Sequence, residues 1–213
     1  MSDDILEYIS GMNHGVIPIL GSGKQFKSGT MYDLLSTLPS LRSRRKAFYK
    51  FPAVNELFPS FLKGYPVDNL WDVEPDSVLV IEDANRVFPS RSSSKSTDLQ
   101  EFLGVISHKD ILIFLTIQNT SNTDLAFFRD QDILFLHKRM NPTAIQYERE
   151  DFQFYCNLAN VVIEDHSLSM GVNPLMVTFV PRFAGVIIHE DPPEWYGYAQ
   201  SHALRDYDAR MVV

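Results

Sequence analysis

Between Val16 and Leu20 the sequence is apolar without a break, and at Gly21-Ser22-Gly23 it ceases to be so at once. A short apolar run closed by glycines reads as a buried strand entering a tight loop. Met31, Leu34, Leu35 and Leu38 then recur at helical spacing up to Pro39, which cannot continue a helix. Strand, glycine loop and helix in immediate succession open a βαβ unit, and that commits the chain to a parallel sheet.

The rest of the sequence continues the pattern. Val78 to Ile81 is an apolar run set between Pro75-Asp76 and Glu82-Asp83, the signature of a strand buried on both faces. Leu99, Phe102, Leu103 and Ile106 form a helical stripe, Ile111 to Ile117 the longest strand-like run, and Ile133 to Leu136 another. The alternation predicts an α/β fold, a mostly parallel sheet with helices on both faces. Ser90 to Asp98 has no apolar residue and reads as a surface loop or flap, with Thr97 placed to cap the helix that follows. After Asn141 the signals are a helical piece at Phe152 to Ala159, strand-like Met176 to Val180 and Val186 to Ile188, and a polar tail. No repeat or Pro/Gly linker divides the chain, so residues 1–213 are expected to form a single domain, with a core at about 12–140 and a carboxy-terminal extension at about 141–213.

Composition narrows the function. With 45% hydrophobic and 22% charged residues in 213, the chain is neither disordered nor fibrous. Its longest uninterrupted apolar stretch, Ile111 to Leu115, is far below the roughly 18 residues that span a bilayer, and no apolar run follows a basic amino terminus, so neither a transmembrane segment nor a secretion signal is expected. The one cysteine, Cys156, can form no internal disulfide or zinc knot, which points to a reducing compartment. Nineteen Lys and Arg against 27 Asp and Glu give a net charge of −8, so any nucleic-acid contact must be local. Basic residues do cluster, at Arg42, Arg44, Arg45, Lys46 and Lys50, at Arg86, Arg91 and Lys95, and at Lys138-Arg139. Such clusters most often form solvated faces. The six histidines show no HxxxH or HExxH spacing and no GxSxG elbow occurs, which argues against zinc and serine hydrolases.

The chemistry concentrates at strand ends. Gly21-Ser22-Gly23-Lys24-Gln25-Phe26-Lys27-Ser28 matches the Walker A pattern GxxxxGK[ST] at Gly21, Lys27 and Ser28, with Phe26 in place of the second glycine. Such a loop wraps backbone N–H groups around the β and γ phosphates, its lysine neutralises them, and its hydroxyl ligates Mg²⁺. Phe26 must then either adopt a strained backbone or displace the loop outward. A rival register sets Lys24 in the lysine position but leaves Gln25 where the hydroxyl belongs. The run VLVIED ends in Glu82 and Asp83, a Walker B pair in inverted order, with Glu82 assigned to metal and Asp83 to the attacking water, although either could take either role. The run ILIFLTIQ ends in Gln118, an amide placed to sense the γ phosphate.

Taken together, the loop, VLVIEDANRVFPSR, LTIQN and DILFLHK make residues from about Gly15 to Lys138 resemble the FtsK–HerA superfamily of P-loop ATPases with a RecA-like fold. Within it the chain resembles the small genome-packaging ATPases of tailless icosahedral viruses with an internal membrane; the related Zot-like assembly proteins of filamentous phages are similar. Pro193-Glu194-Trp195-Tyr196, with Ser201, echoes the segment that closes viral packaging ATPases. The resemblance implies Mg²⁺-ATP bound by Gly21 to Gly29, and a homo-oligomeric ring, commonly a hexamer, that threads double-stranded DNA. It also implies capsid-vertex or portal proteins as partners, and residence in the host cytoplasm at the procapsid vertex. It requires a positive residue for the transferring phosphoryl group: Lys109 stands near the position the family gives to an arginine, and Arg86, Arg91 and Arg129 are unranked candidates for a finger donated across subunits. DNA contact falls to Arg42, Arg44, Arg45, Lys46 and Lys95, with the Ser90 to Ser96 segment facing the pore. Two other readings stand beside this one, a degenerate P-loop protein serving as a structural subunit of a particle and a nucleotide kinase, although an arginine-rich lid for the latter is not evident. Trp195, Tyr196 and Tyr198 fit either an interaction patch or, more often for aromatics near a terminus, an edge tucked into the domain.

Overall fold

The computed structural model describes residues 2–90, 93–129, 133–171, 175–180, 183–188 and 192–205. Eight strands, β1 (Gly15–Leu20), β2 (Arg45–Tyr49), β3 (Gly64–Val67), β4 (Ser77–Ile81), β5 (Leu112–Ile117), β6 (Phe135–His137), β7 (Leu175–Val180) and β8 (Phe183–Ile188), form one sheet in the order β3-β2-β4-β5-β1-β6-β7-β8. Every pairing from β3 to β6 is parallel, and the β7–β8 hairpin then continues the sheet antiparallel from β6. β1 lies between β5 and β6, in register with β5 from Gly15↔Leu112 to Leu20↔Ile117. All of β1, β4 and β5 is buried, which is why their sequences are continuous apolar runs rather than alternating ones.

Side chains of each strand divide between two cores. Ile17, Ile19, Val78, Val80, Leu112 and Phe114 face helices α1 (Ser2–Gly11), α2 (Lys27–Thr37) and α3 (Pro39–Ser43), through Ile5, Ile9, Met31, Tyr32, Leu35 and Leu41. Val16, Leu20, Leu79, Ile81, Ile113 and Ile117 face the other layer. After the short helices α4 (Val54–Leu57) and α5 (Ala84–Val87), that layer is built by α6 (Ser93–Leu103) through Leu99, Phe102 and Leu103. Beyond α7 (Pro142–Ile145), the long α8 (Glu150–Met170) adds Cys156 to the same core and packs Ala159 and Ile163 on Val177 of β7. Gly171, left-handed at φ 66°, ends α8. The last short helix is α9 (Tyr198–His202).

Three features depart from the sequence reading. β2 and β3 lie between α3 and β4 where no strand was expected: RKAFY carries two charges, and Pro66 sits in β3, tolerated because β3 is the sheet edge. The apolar-free segment expected to be a loop is helical from Ser93, so Thr97 lies within α6 rather than capping it. The helix expected over Phe152 to Ala159 lies in the first half of the much longer α8.

Candidate functional site

β1 delivers the chain to the carboxyl edge of the sheet, where Gly21 N–H donates to Ile117 O at 3.3 Å. A Cβ on Gly21 would lie 2.6 Å from Cβ of Lys138, the residue that follows β6, so only glycine fits there. The loop then turns through two left-handed residues, Lys24 at φ 62° and Phe26 at φ 54°. Of the two outcomes expected for Phe26, the strained backbone is the one observed, at a cost of about 1–2 kcal/mol for a residue other than glycine. Phe26 precedes α2 with its ring 57% exposed. Lys27, the first residue of α2, is buried, and its Nζ donates to Gly21 O at 2.8 Å and Ser22 O at 2.9 Å. Burial lowers its pKa, partly offset by Asp83 and Glu82. Lys24 is exposed. Of the two registers, Lys27 is the lysine enclosed by the loop.

Glu82 follows β4 and is buried. Ser28 Oγ donates to its Oε2 at 2.8 Å, and the buried Tyr32 hydroxyl donates to Oε1. Burial drives the Glu82 pKa up to about 7, opposed by the two donated hydrogen bonds and by Arg86, reinforced by Asp83. Next to it Asp83 is half-buried in a left-handed conformation at φ 47°, its N–H donating to Thr116 Oγ1 of β5 at 2.9 Å. Gln118, exposed, follows β5 on the same edge, and the loop after it is fastened to the body. Thr120 N–H donates to Glu148, and the Arg149 guanidinium to Thr120 O and Thr123 O. Gly23 to Ser28, Asp83 and Gln118 line a single cleft of about 690 Å³.

The carboxy-terminal segment supplies the remaining lining: Pro192, Tyr196, Gly197, Ser201 and His202. Trp195 packs on the rings of Tyr32, Phe58 and Phe61, and Tyr196 on Tyr32, so these two aromatics tuck into the fold, while Tyr198 is exposed. Burial raises the Tyr196 pKa, with further upward pushes from Glu82 and Asp83, while a hydrogen bond with Ser28 lowers it. The sequence reading missed Tyr32, Thr116 and this use of the carboxy-terminal segment. Tyr32 was within reach, because it stands four residues after Ser28 on the same helix face.

The structure does not bring Arg42, Arg44, Arg45 and Lys46 to the cleft. Arg44 lies at the opposite edge, where it ties together the amino ends of β1, β4 and β5. Its guanidinium donates to Asn13 O at 3.0 Å and Ser77 O at 2.9 Å, and to Asp110 O, and it pairs with Asp76 at 3.2 Å. Lys46 is fully buried, with Nζ on the carbonyls of Leu41, Arg42 and Arg44 at 2.6, 3.1 and 2.7 Å. Neither can reach DNA, because folding has consumed their hydrogen-bonding capacity. Arg42 and Arg45 are exposed, on that same edge, over the rings of Phe61 and Tyr65, with Arg45 paired to Glu74. Lys109 also lies at that edge, its Nζ 5.5 Å from the Trp71 ring centroid, and does not face this chain's own cleft. Arg86 is half-buried and donates to Lys50 O at 3.2 Å, and Arg129 is exposed. Arg91 and the Lys95 side chain lie outside the described residues.

No protein-family model and no curated protein sequence matches the chain. Solved structures do. The genome packaging NTPase B204 of Sulfolobus turreted icosahedral virus 2, in complex with AMPPCP, aligns over 84% of this chain and 98% of its own, with TM-score 0.57 and 11% identity. B204, the DNA-packaging ATPase of Sulfolobus Turreted Icosahedral Virus, aligns over 84% and 100%, with TM-score 0.57 and 13% identity. The N-terminal domain of zonular occludens toxin from Neisseria meningitidis aligns over 86% and 97%, with TM-score 0.54 and 14% identity. These are the two groups named from the motifs, and the fold is that of a P-loop ATPase.

Proposed function

We propose that the chain is an ATP-hydrolysing motor that packages double-stranded DNA into a preformed viral capsid, working as a homo-oligomeric ring at the capsid vertex in the host cytoplasm. The observation that carries this reading is the convergence of Lys27, Ser28, Asp83 and Gln118, drawn from three separate sequence segments, on one cleft at the carboxyl edge of a parallel sheet, with the buried Glu82 hydrogen-bonded to Ser28 beside it. The solved structures with this fold add support, since two of them are named as packaging enzymes.

The residues present fit Mg²⁺. Ser28 Oγ and Glu82 Oε2 stand 2.8 Å apart, two hard oxygens that one cation can share, and Mg²⁺ is commonly held by one or two protein oxygens with phosphate and water completing its sphere. Ser28 and Glu82 would hold the ion, which would supply positive charge to neutralise the phosphates. The chain's own groups do the rest. Lys27 exchanges the carbonyls of Gly21 and Ser22 for phosphate oxygens, which offer its ammonium a full negative charge. Tyr32 holds the Glu82 carboxyl in the orientation that Ser28 shares. Asp83, its backbone pinned by Thr116, accepts a proton from the attacking water, and Gln118 hydrogen-bonds the γ phosphate.

The strained Phe26 favours one rival, a non-catalytic P-loop protein that builds the particle. Steady-state ATP hydrolysis with and without double-stranded DNA separates the two. The motor predicts DNA-stimulated turnover that falls at least about 100-fold in Lys27→Ala and Asp83→Asn and persists in Lys24→Ala. Neither hydrolysis nor nucleotide binding at millimolar ATP in the assembled protein would leave the structural subunit as the function.

A further inference from the structure

Phe26 combines two costs that a glycine at the same position would avoid. Its backbone is left-handed, and its ring stands largely in solvent at the cleft instead of packing into the fold. Among the described residues neither cost is offset by packing or capping, since the ring joins neither core and the residue makes no side-chain cap to α2. Strain kept at a cleft without a structural return points to use within the cleft.

The second contribution comes from the carboxy-terminal segment. The His202 ring stacks on Tyr198 with centroids 3.8 Å apart and 19° between the planes, and its Nδ1 is engaged by Ser201 Oγ at 2.9 Å and Tyr198 O at 3.0 Å. This pair is fastened to the body: Gln200 Nε2 donates to Leu57 O at 2.6 Å, and its Oε1 accepts from Gly197 N–H at 3.0 Å. Pro192 abuts the first turn of α2 so closely that a Cβ on Gly29 would lie 2.8 Å from it. The segment therefore meets the chain just past Ser28 and lines the same cleft as the phosphate loop.

We propose that Phe26 and His202 form an aromatic clamp on the nucleobase of a nucleoside triphosphate whose phosphates lie in the Gly21 to Ser28 loop. This rests on the nucleotide reading of the cleft and adds to it what holds the base. A cleft of about 690 Å³ has room for a nucleoside with its phosphates. Stacking on ring faces accepts any base, so the clamp adds affinity for a nucleotide over a bare polyphosphate without setting which base is bound.

Calorimetric titration of the full chain with a non-hydrolysable ATP analogue and with inorganic tripolyphosphate, both with Mg²⁺, tests it. His202→Ala weakens the analogue about tenfold and leaves tripolyphosphate affinity unchanged, Phe26→Gly weakens the analogue about tenfold more than it changes tripolyphosphate, and Phe26→Tyr retains native affinity. The melting temperature of Phe26→Gly rises as the left-handed strain is relieved, so lost affinity there cannot come from lost folding. Equal weakening of both ligands would overturn the clamp by assigning Phe26 to the phosphate loop alone, and so would an analogue affinity indifferent to Phe26 and His202. Failure of the native chain to bind either ligand would instead sink the nucleotide reading, and the clamp with it.

Discussion

At the amino ends of the strands, Arg44 and Lys46 are buried charges with acceptors for their protons: carbonyls of the β1, β4 and β5 approaches for one, three carbonyls around α3 for the other. Burial shifts pKa values at both edges, taking Lys46 down to about 7 and Glu82 up to about 7. What sets the carboxyl ends apart is Lys138, 1% exposed, whose Nζ has no hydrogen-bond partner among the described residues, beside Glu82 and Lys27, whose partners are groups of the phosphate loop and α2. Left-handed residues occur at both edges, Lys24, Phe26, Lys50 and Asp83 at this one and Asp76 and Asp110 at the other. A buried ion that has all its hydrogen bonds is a fastening; one that lacks them stores free energy which a ligand of opposite charge can release. One edge of the sheet is built to hold and the other to bind.

The largest effect expected from this contrast is at the holding edge. Arg44→Leu strips a partner from the carbonyls of Asn13, Ser77 and Asp110 and leaves them at the strand starts without their donor. We expect a loss of about 4 kcal/mol, read as a fall in melting temperature of roughly 10 °C. A change below about 1 kcal/mol would show that solvent replaces the guanidinium and that the edge is not a fastening.

Mutation at the binding edge has the opposite sign. Burial lowers the Lys138 pKa from 10.5 to about 7 even though Asp33 pulls it upward. Below pH 7 the folded chain must keep an ill-provided ammonium; between about 7 and 10.5 it binds fewer protons than the unfolded chain, so its stability rises with pH through that window. Lys138→Met removes the burden. Chemical denaturation at pH 6 should find the variant more stable, by on the order of 3 kcal/mol, with the advantage shrinking as pH climbs toward 10. Destabilisation at pH 6 would mean that Lys138 has a partner there after all.

The same contrast explains which parts were legible in the sequence. β1, β4 and β5 could be read because strands buried on both faces leave unbroken apolar runs, and Lys27, Ser28, Glu82, Asp83 and Gln118 because each stands at the end of such a run. β2 was hidden by its own fastening: Lys46 and its neighbours look like a solvated or DNA-facing cluster, and only the carbonyls around them, brought from distant segments, turn them inward. Tyr196 and His202 were invisible as cleft residues for the same reason, since the loop residues with which they line the cleft, Ser28 and Phe26 among them, lie some 170 positions away in sequence. Local pattern reports what a strand buries; it does not report what a charge or a ring meets after the chain has closed on itself.

Glu82 gives the smallest effect and the sharpest form of the comparison, because its pH dependence runs against that of Lys138. Its pKa rises from 4.5 to about 7 on folding, so between those values the folded chain binds more protons than the unfolded chain and loses stability as pH rises. Without Mg²⁺, Glu82→Gln should match the native protein near pH 4.5, gain steadily on it up to pH 7, and hold above that an advantage of about 2 kcal/mol, kept modest by the hydrogen bonds that Ser28 and Tyr32 already give the carboxylate. Saturating Mg²⁺ should cancel or reverse this advantage, since the cation stabilises only the chain that retains the carboxylate. Urea denaturation at pH 5 and pH 8, with EDTA and with Mg²⁺, measures all four quantities. An advantage that is flat in pH and indifferent to Mg²⁺ would mean that the tension at Glu82 belongs to packing rather than to a vacant charge awaiting its ligand.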